Sequence, residues 1–471
     1  MRKPDTALLT ALLVAGSGFM ELLDTTVITT AIPRMAQSFG VHPIDLNLGV
    51  TAYMIMLAAG IPLSGWAAER FGARTVFASA ILIFTVASAL CGLSNGLWEF
   101  FAARILQGLG GAMMVPVGRL VVLRVTPKPQ LMQATALITW PALVAPILGP
   151  VVGGFLTTYA SWRWIFFLNV PIGLVGLIAT LLIIRNGQNR SAKRLDVPGA
   201  ILSGLAAVAF VYGASLAGTN SGSLRWSLGL MLLGIIGGWA TVVHAKRVKT
   251  PLIEFSAFAI QTFRATLRGG SLVRMGINAA PFLLPLMFQL GFHRSPVAAG
   301  SLLLVLFVGN LAIKPLTTPM MRRFGFRTVL IINGVILALT FLGFALIDAS
   351  TPAWLLMPLL LVSGMARSTE FTAMNTLAYA DVPPERMGSA NILFNLGQQV
   401  AFGLGVAVGA ILLRIGQGVL GGHQITVADF HFAFVCTFLL CLMGVADFLA
   451  LPAQAGANVS GHTAKGLASR N

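Results

Sequence analysis

The sequence predicts an all-α membrane protein built of two six-helix bundles, with two further transmembrane helices inserted between them to make fourteen spans. Three observations lead there. Of 471 residues, 56% are apolar and only 10% are charged, against about 25% charged in an ordinary soluble domain. The apolar residues run continuously for about 20 positions at a time, the length needed to cross a hydrocarbon core of about 30 Å. Most of the 31 Lys and Arg fall in one alternate set of the intervening loops and in the termini, as the retention of basic residues in short cytoplasmic loops requires.

In order, the spans are predicted at 8–33, 47–68, 75–95, 99–123, 134–158, 164–184, 197–217 and 226–243. The rest fall at 270–291, 297–320, 327–347, 353–378, 388–414 and 430–451. A strand barrel is excluded, since its segments would be about ten residues long and alternate in polarity. Gly and Pro recur inside the runs, which membrane helices accept when neighbours satisfy the freed backbone groups.

The formal charge of +17 raises a nucleic-acid reading, which the distribution of that charge removes. Arg70 and Arg74, Arg124 and Lys128, the run Arg185, Arg190, Lys193 and Arg194, and Arg322, Arg323 and Arg327 all lie in the same alternate set of loops. The basicity is therefore topological, with both ends placed in the cytoplasm. Met1 to Lys3 before an apolar stretch superficially resembles a secretory signal. The stretch lacks a small-residue cleavage site and continues through Glu21 and Asp24 to Pro33, so a retained first helix is expected.

Cys91, Cys436 and Cys441 all lie in predicted helices and make neither a disulfide framework nor a metal site. The sequence contains no H-E-x-x-H and no G-x-x-x-x-G-K-[ST], so neither a zinc hydrolase nor direct ATP hydrolysis is indicated. No enzyme, cofactor or metal is expected.

Internal repetition sets the organisation. Arg70-Phe71-Gly72-Ala73-Arg74 after the second span is echoed by Arg323-Phe324-Gly325-Phe326-Arg327 after the tenth. Pro127 and Ala134 are echoed, at nearly the same offset, by Pro383 and Ala390. Residues 1–190 and 251–453 are accordingly expected as the two bundles, 191–250 as the inserted pair, and 454–471 as a polar, mobile cytoplasmic tail. Two similar bundles around a central cavity are how many carriers alternate access.

Several clusters carry chemistry. Glu21 and Asp24 lie three apart on the first helix and share a face. A carboxylate in low dielectric prefers to be neutral, and one facing a water-filled cavity can gain and lose a proton. The alternative for Asp24 is a fixed hydrogen bond to Thr25, Thr26 or Thr29. Arg104, Gln107, Gly108 and Gly111 follow helical spacing, so the guanidinium lies above a stripe where another backbone can come close. Ala145, Gly149 and Gly153, with Pro150 and Gly154, make a second small-residue face. Around Gly72, whose missing side chain permits a tight turn, Gly65, Glu69, Arg70 and Arg74 can form a latch, or simply an ordinary basic loop.

Five bases fall within predicted spans: Arg104, Arg119, Arg274, Lys314 and Arg367. Only Glu21, Asp24 and Glu370 lie comparably deep among the acids. Unpaired charge must face water, reach an interface or be matched by a bound anion. Lys314 and Arg119 are candidates for snorkelling, whereas Arg367 and Glu370, three apart, are placed to pair with each other. Arg274, with Asn278 one turn on, is the least easily dismissed. Arg119, Arg274, Asn278, Lys314, Arg367 and Glu370 are thus the expected substrate cavity, and the positive surplus favours an anion, such as citrate or a metal-citrate complex, over a cation.

With these motifs in view, the chain resembles the major facilitator superfamily, in its fourteen-helix drug:proton antiporter-2 branch. Leu23-Asp24-Thr25-Thr26-Val27 through Pro33 is similar to the family's first-helix motif, with Thr29 where Asn is usual. Gly65 to Arg74 resembles the loop motif, with Glu69 for Asp and Ala73 for a basic residue. Arg104 to Ala112 resembles the fourth-helix motif. Gly149-Pro150-Val151-Val152-Gly153-Gly154 resembles the fifth-helix motif of exporters, with Ala145 where Gly is usual. Trp162-Arg163-Trp164-Ile165-Phe166 with Asn169, Pro171 and Gly173 resembles a pattern of the fourteen-helix form, and Gly111 to Arg119 and Met374 to Leu377 resemble one enterobacterial group within it. The resemblance implies a proton-coupled exporter of the multidrug type in the bacterial inner membrane, working as a monomer on small molecules. It implies a proton-relay role for Arg104, beside the proton coupling that the membrane carboxylates Asp24 and Glu21 suggest, and gating at Gly65 to Arg74 and Gly149 to Gly154. A non-pumping facilitator or a membrane receptor on the same fold is the alternative of another class.

Overall fold

The computed structural model describes residues 6–139, 141–184, 194–218, 224–419 and 425–462. Among the described residues the regular structure is entirely helical. The first half contains α1 (Thr6–Phe39), α2 (Asn47–Phe71), α3 (Ala73–Leu93), α4 (Leu97–Val125), α5 (Leu131–Thr139), α6 (Pro141–Tyr159), α7 (Trp164–Phe167) and α8 (Asn169–Ile183). A pair follows, α9 (Val197–Gly218) and α10 (Leu224–Arg247). The second half contains α11 (Gln261–Leu286), α12 (Pro296–Ala312), α13 (Lys314–Phe344), α14 (Ala353–Ala380), α15 (Met387–Val419) and α16 (Val427–Leu449), after which comes a single turn, α17 (Ala457–Ser460).

Every predicted span coincides with helix, though boundaries move: α11 begins at Gln261 rather than near 270. Among the described residues, 11 helices are long and apolar enough to cross a membrane. The three remaining predicted spans are helical but differ from that pattern. Residues 134–158 are divided between α5 and α6, and 297–320 between the 17-residue α12 and the first turns of α13. Residues 353–378 lie within α14, whose middle carries Arg367 and Glu370.

The sequence echo becomes a packing echo. In the first half α1 packs on α6, α2 on α4, and α3 on both α4 and α8; in the second α11 packs on α15, α12 on α14, and α13 on both α14 and α16. With α5–α6 and α7–α8 each taken as one span, these are the same pairings twice over. The repeated loops match as well, for Gly72 has φ 89° and Gly325 φ 76°, each with an extended ψ. Side-chain-bearing residues avoid that region because Cβ clashes with the backbone. Gly325 therefore breaks α13 at the position where Gly72 separates α2 from α3.

The two ends of the bundle differ. Gly72, Gly325 and the 124–131 and 381–387 turns lie at one end, called the basic end. At the other, Trp98 is 72% exposed, Trp226 74% and Trp354 74%, each at the start of its helix. Exposed Trp at helix ends fits the headgroup interface of a membrane, where Trp is enriched.

α9 packs against α2 of one half and α15 of the other, so the inserted pair spans the seam between them. Asp196, just before α9, clips the pair at the basic end: it accepts from Gly199 N at 3.0 Å and Leu252 N at 3.2 Å and faces His244 Nε2 at 2.9 Å. Burial pushes its carboxyl up, but the hydrogen bonds from His244, Gly199 and Leu252 prevail and hold it below the usual carboxylate value. The predicted mobile tail is corrected in its first part. Ala455 and Val459 are buried, and α17 packs on α13, α14 and α5, because this stretch carries apolar side chains that the basic end covers. Residues 463–471 lie outside the described residues, as do Arg185, Arg190 and Lys193.

Candidate functional site

In the first half, four helices bring polar side chains to one buried point. Asp24 of α1 accepts from Arg104 Nη1 at 2.6 Å through Oδ2, and both side chains are sealed from solvent. Its Oδ1 accepts from Gln107 Nε2 at 2.9 Å and from Asn169 Nδ2 at 3.0 Å. Arg104 Nη1 also reaches Gln107 Oε1 at 2.7 Å, and Asn169 Nδ2 is 2.9 Å from Ser88 Oγ of α3. Arg104 and Gln107 sit three apart on α4, which aims both at α1. The guanidinium lies over the Tyr53 ring of α2, 4.5 Å from its centroid, a contact suited to a desolvated cation.

Two of the three threonines of the alternative reading of Asp24 bond to the backbone instead. Thr25 Oγ1 donates to Leu22 O, and Thr26 Oγ1 to Leu22 O, Leu23 O and Ala145 O, so these hydroxyls serve the backbone and not the carboxylate. The side chain of Thr29 lies outside the described residues. Glu21 is buried one turn away, near Gly111 and Tyr53, and neither Glu21 Oε2 nor Tyr53 Oη has a hydrogen-bond partner among the described residues. Charge at Asp24 is compensated by Arg104 and by the two amide donors Gln107 and Asn169. Protonating Asp24 would remove the attraction and leave Arg104 buried without a counter-ion, a state that favours rearrangement.

In the second half the expected cavity residues separate. Arg274 is fully buried: Nη1 donates to Thr266 O at 3.0 Å, Nη2 to Asn375 Oδ1 at 3.3 Å, and the guanidinium stacks on Phe394 at 4.9 Å. Arg119 stacks over Phe394 at 5.6 Å and donates to Gln398 Oε1 at 3.3 Å. Lys314 Nζ donates to Thr139 Oγ1 at 3.1 Å and Thr372 Oγ1 at 2.7 Å. Snorkelling is thereby corrected for both, since each turns inward to polar partners across the seam between the halves. Arg119, Thr139, Asn375 and Tyr379 line one narrow crevice there. Asn278 Nδ2 donates to Arg274 O, so its amide serves its own helix.

The predicted Arg367–Glu370 pair is absent. Glu370 turns towards α13 and accepts from Asn333 Nδ2 at 2.9 Å, while Arg367 Nη1 has no hydrogen-bond partner among the described residues. Positions three apart on a helix differ by about 60° around its axis, enough here for the two side chains to meet different neighbours.

The gating positions fall on interfaces. A Cβ on Gly149 would lie 2.6 Å from Thr26 Cβ, and one on Gly153 would lie 2.8 Å from Val27 O, so α6 rides directly on α1. Gly154 faces open space, and the side chain of Pro150 lies outside the described residues. At the basic end Gly65 meets Ile392, where a Cβ would lie 2.6 Å from Cγ1, and Glu69 Oε1 lies 3.1 Å from the place of a Cβ on Gly388. Arg74 Nη2 donates to Leu181 O and Arg70 is exposed. Hydrogen bonds from one half to the other, Asn391 Nδ2 to Pro116 O at 2.9 Å and Lys128 Nζ to Ala380 O at 3.2 Å, also lie towards this end.

The sequence matches the family described as Major Facilitator Superfamily over residues 14–406, and again over 269–461. The chain belongs to the major facilitator superfamily. The second match starts within the second half, as a duplicated superfamily architecture would give. Among relatives, "Putative multidrug resistance protein MdtD" of Serratia proteamaculans (strain 568) is 37% identical over 456 residues, 96% of this chain and 93% of that protein. The protein of the same name in Escherichia coli (strain K12 / DH10B) is 36% identical over 467 residues, 99% and 97% of the two. Solved superfamily folds superpose at lower identity: the human organic anion transporter MFSD10 (TETRAN) with TM-score 0.67 at 13% identity, covering 95% of this chain and 100% of that one, and the proton:xylose symporter XylE with TM-score 0.63 at 16% identity, covering 96% and 97%. This member of the superfamily is a multi-pass membrane transporter.

Several residues of the polar cluster had little signal in sequence. Gln107 and Asn169 stood in motifs without an assigned role, and a buried amide in an apolar run is the clue that identifies them. Ser88, Tyr53, Asn333 and Asn375 are single polar groups of a kind that many membrane helices carry, and only packing singles them out.

Proposed function

We propose that this transporter is a proton-coupled antiporter of the multidrug-efflux type, exporting small molecules by alternating access across the bacterial inner membrane as a monomer, with both termini in the cytoplasm. The observation that carries the reading is the buried Asp24–Arg104 pair with Gln107 and Asn169 closed around it. An ionisable pair in a membrane interior is costly unless used, and this one joins α1 to α4 and α8. Proton arrival at Asp24 frees Arg104, and α1 then shifts against the Gly149–Gly153 face of α6. With the basic end assigned to the cytoplasm, the Gly65–Ile392 and Glu69–Gly388 contacts close that side, and Glu69 to Arg74 act as its latch. The relatives named "Putative multidrug resistance protein MdtD" support the substrate class.

A second reading, export of an anionic metabolite such as citrate or a metal-citrate complex, is favoured by one observation. Arg119, Arg274, Lys314 and Arg367 have no carboxylate within 4.0 Å among the described residues; Arg119 lines the inter-half crevice, and Arg274 and Lys314 bond to Asn375 and Thr139 of its wall. Purified protein in liposomes under an imposed proton gradient separates the possibilities, with ethidium and citrate as alternative probes. Uphill movement of ethidium supports the first reading and uphill movement of citrate the second. Flux of either probe only down its own gradient overturns both in favour of a facilitator.

A further inference from the structure

Glu370 is fully buried on α14 and is not used by the mechanism above. Its Oε2 accepts one hydrogen bond, from Asn333 Nδ2, and its Oε1 has no partner among the described residues. No basic group lies within 4.0 Å of it among the described residues. Asp24, by contrast, holds an Arg and two amides. An ionised carboxylate with one neutral donor in a dry, low-dielectric site is strongly disfavoured, whereas the acid form is tolerated.

Titratable and polar groups near Glu370 come from several helices. From α13, Asn333 donates and Lys314 is bound to Thr372. From α11, Arg274 is near enough to attract it electrostatically, and from α16 the Cys441 thiol lies in range. On α14 itself are Arg367 and Tyr379, and from α4 comes Arg119, which acts on Arg274. Arg274 is the nearest base with only neutral partners. It is held here by Thr266 O and Asn375 Oδ1, with its Nε unpartnered. Asn375 is five residues beyond Glu370, about 7.5 Å along the helix, a span that a long Arg side chain covers by changing rotamers.

We propose that Glu370 is a second proton-binding site, protonated in the present conformation, and that Arg274 is its exchange partner. When the halves reorient, Arg274 leaves Asn375 for Glu370, the carboxylic proton departs to water, and an ion pair replaces the O–H. The first-half carboxylate is thus paired while the second-half one is protonated, so the two sites stand in opposite states. The proposal deepens the antiport reading and rests on it, but its test needs no transported substrate. Infrared difference spectra of purified full-length protein in liposomes, recorded between neutral and alkaline pH in H2O and D2O, report the C=O stretch of protonated carboxylic acids. In Glu21→Gln protein, where that other buried carboxyl without a basic partner is gone, a deuterium-sensitive acid band is expected to be lost on alkalinisation; it is missing when Glu370→Gln is added and retained, at lower apparent pH, when Asn375→Leu is added, which frees Arg274. An unchanged acid band on adding Glu370→Gln overturns the proposal while leaving coupling at Asp24 intact. Should Glu370→Gln fold poorly, wild-type protein treated with dicyclohexylcarbodiimide, which adds to protonated buried carboxyls, is digested for mass spectrometry. Label on Glu370 and not on Asp24 agrees with the proposal; label on Asp24 with Glu370 unmodified contradicts it.

Discussion

Asp24 and Arg104 stand 80 residues apart in sequence and 2.6 Å apart in the fold. Removing one partner of a buried pair strands the other, at a cost of about 3–5 kcal/mol. Asp24→Asn is therefore expected to lower the Tm of purified protein clearly and to make any remaining flux indifferent to the proton gradient. A variant with wild-type Tm and wild-type pH dependence would remove Asp24 from the account. Both residues were legible in sequence, because a charge inside an apolar run is conspicuous. Their bond was not, since it depends on which faces of α1 and α4 meet. The reverse happened at Arg367 and Glu370, where helical spacing suggested a pair and packing assigns Glu370 to Asn333. Spacing along one helix carries no information about the neighbour on each side.

At the scale of helices, the α1–α6 contact is the most demanding, since Gly149 and Gly153 leave no room for Cβ while Gly154 faces open space. Gly153→Leu is expected to insert at normal level and to lose transport, and Gly154→Leu to keep it. Equal loss in both would point to a general defect of α6 instead of its contact with α1. At Gly72 and Gly325 the backbone angles themselves exclude side chains, so Gly72→Ala and Gly325→Ala should each cost about 1–3 kcal/mol, read as a lower Tm. Most spans were legible because an apolar run of membrane length admits few other readings. The break between α5 and α6, the run-on of α12 into α13 and the folding of α17 were not, because each depends on tertiary neighbours.

Over the whole molecule, the duplicated loops of the sequence correspond to duplicated packing, and the seam between the halves is closed at the basic end by Gly65 on Ile392, Glu69 beside Gly388 and Asn391 on Pro116. Alternating access requires this seam to open. A short bis-methanethiosulfonate cross-linker joined by disulfides to Gly65→Cys and Ile392→Cys, in a background lacking Cys91, Cys436 and Cys441, is expected to stop transport, and reduction of those disulfides to restore it. Transport through the linked protein would mean that this end does not move. The direct test of coupling is proton release from purified protein in weak buffer on adding ethidium, and separately citrate, with Asp24→Asn alongside. The account predicts a stoichiometric acidification with one of the two probes in the wild type that Asp24→Asn lacks; a saturable binding of probe with no proton released in either protein would contradict it.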